Sequence, residues 1–345
     1  EHGNVNSVDS DTWFTLNQSF NLPVVYRRQR ELYQSQETLQ QQMAQWKEAE
    51  LHREVKKLFF QLTDALERKK LLQQLDSVYS RFQQAAALRL KTGETNLLEK
   101  TTADAQLQQL KLQQQQLNAD ITLLQKKWQW LLHTEELLLP AYQSFKKEAT
   151  VLLQADTSAA TSHPQVLYNR QMEKTAAAQS AVERSKLSPD LGIGYSNLSI
   201  VGYQSPDGIN NKYYGWGDRF HAFNVSIGIP LFNRAAKARI KASEVNEEVM
   251  KMQTATTAYM FKKNIELLRE ECLKQQNNLR FYEETGFEQA ALITRNAEQA
   301  FKQGEIGYVE WTLLMNQAVS IRLSYFEAVQ QFNQALIELE YLTGK

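Results

Sequence analysis

A single cysteine, Cys272, excludes a disulfide framework within the chain, and its helical neighbourhood marks it as an inert thiol. Histidine is also scarce. His2, His52, His133, His163 and His221 are scattered without ligand spacing, so no metal site and no cofactor are expected. Net charge is zero, with 39 basic and 39 acidic residues, and the basic footprint of a nucleic-acid partner is missing. No run approaches the ~20 consecutive apolar residues of a membrane helix, and no charged-then-apolar signal peptide opens the chain, whose start EHGNVNSVDS reads as an internal cut. A membrane could therefore be met only by strands. Nucleophile elbow, phosphate loop and zinc-helix pair are all wanting; GIGYS around Gly192 is not GxSxG and lies in an alternating strand. No enzyme is expected.

Six prolines and thirteen glycines are few for 345 residues, and their scarcity favours long helices. From Val24 to Leu90 there is neither, and Leu51, Val55, Leu58, Leu62, Ala65 and Leu72 keep a helical seam. A helix over 24–90 would span about 100 Å at 1.5 Å per residue. Gly93 breaks it within RLKTGETNLLEK, and a return helix over about 94–133 carries a second seam through Ala103, Leu107, Leu110, Leu117, Ile121, Leu124, Trp128 and Leu131. The glutamine-rich QLQQLKLQQQQLNAD falls inside that return and reads as a solvated helix face. The second half repeats the plan. A helix from about Asn233 reaches the tip FKQGEIGYVEW, and its return holds an unbroken heptad from Leu314 through Phe332 to Leu342.

Short alternating runs head these hairpins. FTLNQSFNLP aligns with AFNVSIGIP on Pro23 and Pro230, setting Leu16, Gln18, Phe20 and Leu22 in register with Phe223, Val225, Ile227 and Ile229, and Asn17 and Ser19 with Asn224 and Ser226. Each run thus has one mostly apolar and one small or polar edge, and the prolines read as strand-to-helix junctions. The two prolines are 207 residues apart and the tips KTGE and KQGE 211, so the chain is an internal duplication. Between the halves, 134–163 is an irregular connector with one or two short helices, 164–187 a short helix, and SPDLGIGYSNLSIVGY another two-faced strand, with Leu191 and Ile193 on its apolar edge and Gly192 and Gly194 on the other. The loop QSPDGINNKYYGWGDRF, with Tyr213, Tyr214 and Trp216, closes a β-hairpin over 188–231, and 232–345 is the second long hairpin. Three strands separated by such helices cannot close a sheet, and an open edge in lipid is costly, so closure must come from identical copies. A second stripe in the last helix, Met315, Val319, Phe326, Val329 and Leu336, lets each helix touch neighbours on both sides.

These features, with the passage HPQVLYNRQMEKTAAAQSAVERSKLSPDLGIGYS, the strand ending IPLFN, the paired tips and the ending NQALIELEYLTG, resemble the TolC family of outer-membrane efflux ducts, with wording similar to its heavy-metal branch of CusC and CzcC. The resemblance implies a mainly α fold with a small β part. Long helical hairpins would form a periplasmic α-barrel, and strands from a homotrimer a transmembrane β-barrel in the outer membrane of a Gram-negative bacterium. It further implies a passive exit duct for metal ions, handed over by an inner-membrane RND-type pump and a periplasmic adaptor. The apolar strand edge would face outer-membrane lipid and the small edge the lumen. Gly93, Glu94, Thr95, Gly304, Glu305 and Ile306 would form the periplasmic tips that meet the adaptor. Family members begin with a helix and strand for which this chain has no counterpart. Helix lengths agree: 164–187 stacked on the first return would balance the first outgoing helix, and the second asks for a partner before Glu1. EHGNVNSVDSD would then be a loop entering the strand at Thr12, and 1–23 that loop plus strand. Two other classes share some of these features, a periplasmic adaptor and a structural coiled coil; adaptors flank their hairpin with lipoyl-like β domains, and no such sequence flanks these.

Overall fold

The computed structural model describes residues 7–141, 145–146, 157–205 and 207–344, with the side chains of 7–10 and 157–159 left undescribed. Contacts divide the chain into two units, residues 1–42 with 168–255 and residues 43–167 with 256–345.

The first unit is built on an antiparallel sheet. Its central strand β2 (Asp190–Gln204) pairs on one side with β1 (Ser7–Asn21) and on the other with β4 (Phe220–Gly228) and a three-residue strand, β3 (Lys212–Tyr214). Register runs from Asn21↔Asp190 to Ser7↔Tyr203 across the first pair, and from Asp190↔Gly228 to Leu198↔Phe220 across the second. Helices α1 (Pro23–Thr92), α3 (Pro164–Ser185) and α4 (Arg234–Phe281) all join the sheet at its Asn21/Asp190/Gly228 end, while the loop 205–219 lies at the other. Small polar side chains hold α3 beside the start of α1: the Ser35 and Thr175 hydroxyls are 2.8 Å apart, and Gln171 Nε2 donates to the Ser35 carbonyl at 3.0 Å. Arg184 bonds Glu244 of α4 at 2.9 Å.

The second unit is helical. It holds the rest of α1, α2 (Leu97–Leu132), a 3₁₀ turn (Thr157–Ser162), the rest of α4, a π-helical turn (Tyr282–Gly286), α5 (Phe287–Gln303) and α6 (Tyr308–Thr343). Most of the seams read from the sequence form its core, although Leu51 is exposed. Leu72, Tyr79, Ala103, Leu107, Phe301 and Trp311 cluster near the hairpin ends, Leu62, Ala65 and Ile121 join α1 to α2, and Ile265, Cys272, Leu279, Phe332 and Leu336 join α4 to α6. Trp311 is fully buried, with its ring stacked 3.5 Å from that of Phe82. A fully buried Leu or Phe contributes about 1.5–3 kcal/mol, whereas an exposed ion pair such as Lys263–Glu266 is screened by water and adds little. The seams, not the charged faces, therefore hold the helices. Burial also pushes the Cys272 thiol up to about 11, which keeps it protonated and unreactive at neutral pH.

Several boundaries differ from the sequence reading. Residues 7–11 of the expected entry loop are strand, because β2 extends to Gln204 and offers a ladder through a bulge between Val8 and Ser10. The first return helix starts at Leu97, after the Asn96 side chain caps it by accepting from the Glu99 N–H at 3.0 Å. Pro23 is the first residue of α1, but Pro230 is not in a helix: five non-helical residues, 229–233, separate β4 from α4, and Leu231 N–H donates to the Ile229 carbonyl at 2.9 Å. Much of the 134–163 connector, including 142–144 and 147–156, lies outside the described residues.

Candidate functional site

Antiparallel partners share a sheet face, so the register sorts every strand residue. Leaving the helix end, one face carries Phe20/Leu191/Ile227, then Gln18/Ile193/Val225, then Leu16/Tyr195/Phe223. Phe223 and Val225 are 81% and 78% exposed, a setting that water alone does not favour. The opposite face carries Ser19/Gly192/Ser226 and Asn17/Gly194/Asn224. Gly194 allows this arrangement: a Cβ there would fall on the Oδ1 atoms of Asn17 and Asn224, which lean over the glycine from both sides. Leu22 and Ile229 lie beyond the strand ends and belong to neither ladder.

Two features of these faces were not read from the sequence. The small-residue face ends, toward the loop, in Trp13/Leu198/Phe220, all beyond the period-two run that marked the strands. The apolar face ends in a polar knot: Arg219 Nη1 donates to Thr12 Oγ1 at 3.1 Å and to Asn197 Oδ1 at 2.9 Å, and the Thr12 and Ser199 hydroxyls are 2.9 Å apart. Its signal was the loss of apolar residues from one edge beyond Phe14 and Phe223.

The two hairpin tips share one backbone geometry. At Gly93, φ is +76°, with Gly93 N–H on Leu90 O at 3.3 Å and Glu94 N–H on Arg89 O at 2.9 Å; at Gly304, φ is +74°, with Gly304 N–H on Phe301 O at 3.2 Å and Glu305 N–H on Ala300 O at 2.9 Å. This paired bonding closes a helix with a left-handed residue, a position that favours glycine. The residues that follow differ. Thr95 Oγ1 donates to the Glu99 carboxylate and Asn96 caps α2, whereas Ile306 is half-buried against the core and Gly307 begins α6 without a side-chain cap. Gly93, Glu94, Gly304 and Glu305 are exposed, and beside them Leu97, Leu98, Val309 and Leu313 lie open to solvent.

Among the described residues no three His, Cys, Asp or Glu side chains are grouped to hold a metal ion, and no helix is long and apolar enough to cross a membrane. No family profile matches the chain. No curated protein matches it either. Solved structures do. The transmembrane channel former CusC is 14% identical, with a TM-score of 0.78 over 99% of this chain and 79% of its own. The outer membrane channel CmeC of Campylobacter jejuni is 13% identical, with a TM-score of 0.80 over 96% and 70%. The open outer membrane channel MtrE of Neisseria gonorrhoeae is 14% identical, with a TM-score of 0.73 over 97% and 80%. The fold is TolC-like. The TolC-like fold gathers the predicted strand residues other than Leu22 and Ile229 onto two faces of one sheet and sets both predicted tips at helix-closing turns.

Proposed function

We propose that the chain is one subunit of a homotrimeric outer-membrane duct that passively exports substrates. The sheet register carries the reading. One face is apolar yet exposed, the other is lined by glycine, serine and asparagine, and the three helices that join the sheet do so at the same end, as a strand wall with lipid outside and water inside requires. Among the described residues β1 and β4 each pair only with β2, which leaves two open edges for other copies to complete. Exposed stripes on the helices, such as Val245, Val249 and Met252 of α4, fit the same assembly. The helices then extend into the periplasm of a Gram-negative cell. The exposed turns at Gly93–Glu94 and Gly304–Glu305, with their neighbouring leucines, meet a periplasmic adaptor that joins the duct to an inner-membrane RND-type pump. Metal ions are the cargo proposed, on the strength of the sequence resemblance to the heavy-metal branch.

Fractionation tests this directly. The protein should sediment with the outer membrane, crosslink as a trimer and open a conducting pore in planar bilayers. Recovery from the soluble periplasm without pore activity would overturn it.

A further inference from the structure

The end of the apolar strand face nearest the loop has a chemistry that a plain barrel wall does not need. Above the Leu16/Tyr195/Phe223 rung come Phe14/Asn197/His221 and then Thr12/Ser199, with Arg219 laid across them. Arg219 has only donors, so the Asn197 atom it bonds is the oxygen. Asn197 therefore turns its amide nitrogen toward His221, 3.2 Å from Nδ1. An amide N–H can only donate, so Nδ1 accepts and the proton of the neutral ring sits on Nε2. The Tyr195 hydroxyl, 2.8 Å from the same Nδ1, completes the knot, and its ring stacks on the imidazole.

The knot fixes a guanidinium in place without neutralising it. Both acceptors of Arg219 are uncharged, and among the described residues no carboxylate lies within ion-pair distance of Arg219 or His221. The nearest acidic residue in sequence, Asp218, is occupied by the Gly215 N–H at 2.8 Å. Elsewhere exposed arginines such as Arg28 and Arg184 are ion-paired. An anchored, unpaired cation with guanidinium donors to spare, beside an imidazole N–H and above the exposed apolar side chains of Phe14, Leu16 and Phe223, matches a phosphate group carried on acyl chains. Tyr213 of β3 and Trp216 of the turn after it, both exposed, are the residue types that favour such a boundary.

We propose that Arg219 and His221 bind the phosphate of a lipid A-type glycolipid in the outer leaflet, whose acyl chains lie along Phe14, Leu16 and Phe223. The site rests on the membrane-spanning reading given above. Its test uses the trimer in nanodiscs of phosphatidylcholine doped with bisphosphorylated lipid A or its dephosphorylated form, with retained lipid counted by native mass spectrometry. Wild type should retain the phosphorylated form, Arg219→Gln should lose it by about fivefold, and Arg219→Lys and His221→Gln should lie between. The dephosphorylated lipid should bind all four alike. Equal retention by wild type and Arg219→Gln overturns the site, as does full displacement by inorganic phosphate, which would mark a free-anion site. If Arg219→Gln fails to assemble because the Thr12–Asn197 bridge is lost, the comparison of His221→Gln with wild type decides by the same criterion. A wild-type protein that does not enter the bilayer would sink the duct reading itself, a result distinct from the others.

Discussion

Asp64 and His163 are both buried in the helical unit, and both are held away from their ordinary ionisation. Burial raises the Asp64 carboxyl from 3.8 to about 6, although Arg68 Nε is only 2.8 Å away; its other oxygen has no partner, and Glu327 adds repulsion. Burial between the Phe261 and Tyr341 rings lowers the His163 imidazole from 6.5 to about 4. The signs oppose. Asp64 contributes stability that is full below pH 3.8 and lost as pH rises through about 6, whereas the His163 contribution is full above pH 6.5 and lost as pH falls through about 4. Each is worth on the order of 3 kcal/mol at 1.36 kcal/mol per unit, so the two nearly cancel between pH 4 and 6. Removing one should expose the other. Relative to the parent, Asp64→Asn should lose thermal midpoint as pH drops from 6 to 4, and His163→Gln should gain it. Midpoint curves parallel to the parent's would show that neither group titrates as described.

Elements differ in how plainly their residues announce them. The long helices were legible because a glycine- and proline-free run with repeating apolar residues has no other compact solution, and the tips because a helix that closes left-handed asks for glycine. The π-helical turn at Tyr282–Gly286 was not legible. It depends on packing, with Gly286 so near Tyr282 and Ile321 that a Cβ would sit 3.1 and 3.3 Å from them. Strand β3 was hidden likewise, since Lys212–Tyr214 is a turn-rich segment that becomes strand only because β2 extends past β4. Two expectations belong at this scale. Val225→Arg, on the exposed apolar face, should cost about 2–4 kcal/mol of assembly stability in a bilayer, while Asn224→Arg on the opposite face should cost far less; urea titration of refolded protein in lipid separates them, and equal costs would invert the face assignment. Gly93→Val or Gly304→Val forces a branched side chain into a left-handed backbone at about 1–2 kcal/mol. It should leave the trimer intact but weaken crosslinking of the tip to the adaptor; unchanged crosslinking in both variants would place the docking surface elsewhere.

For the whole molecule the duplication was readable, but its phase was not. The sequence set the prolines 207 apart and the tips 211, and the fold explains the mismatch. Arg234–Phe281, Tyr282–Gly286 and Phe287–Gln303, of 48, 5 and 17 residues, run on as one helical stretch equal to the 70 residues of α1, so the surplus sits in the non-helical link at Pro230. The repeats match when measured back from the glycine, not forward from the proline. The polar knot at Arg219 is not legible in the sequence, because it joins a residue just before β4 to side chains of three strands whose register no single stretch reveals. Assembly should depend on helix faces that this chain leaves open: Val249→Asp should abolish the trimer in light scattering while leaving the far-ultraviolet circular dichroism of the helices unchanged. A trimer that persists would remove the α4 stripe from the subunit contact.

The matched turns also bear on stoichiometry. In a three-chain duct, two tips per chain present six copies of one backbone shape, each with an exposed glutamate after its glycine. A partner that reads only that turn counts six equal seats and can bind as a closed ring of six. A partner that reads the next residues meets Thr95 and Asn96 at one tip and Ile306 and Gly307 at the other, and it sorts the seats into two alternating classes of three. The number of partner chains on a saturated duct, six or three, would therefore report which part of the turn is recognised.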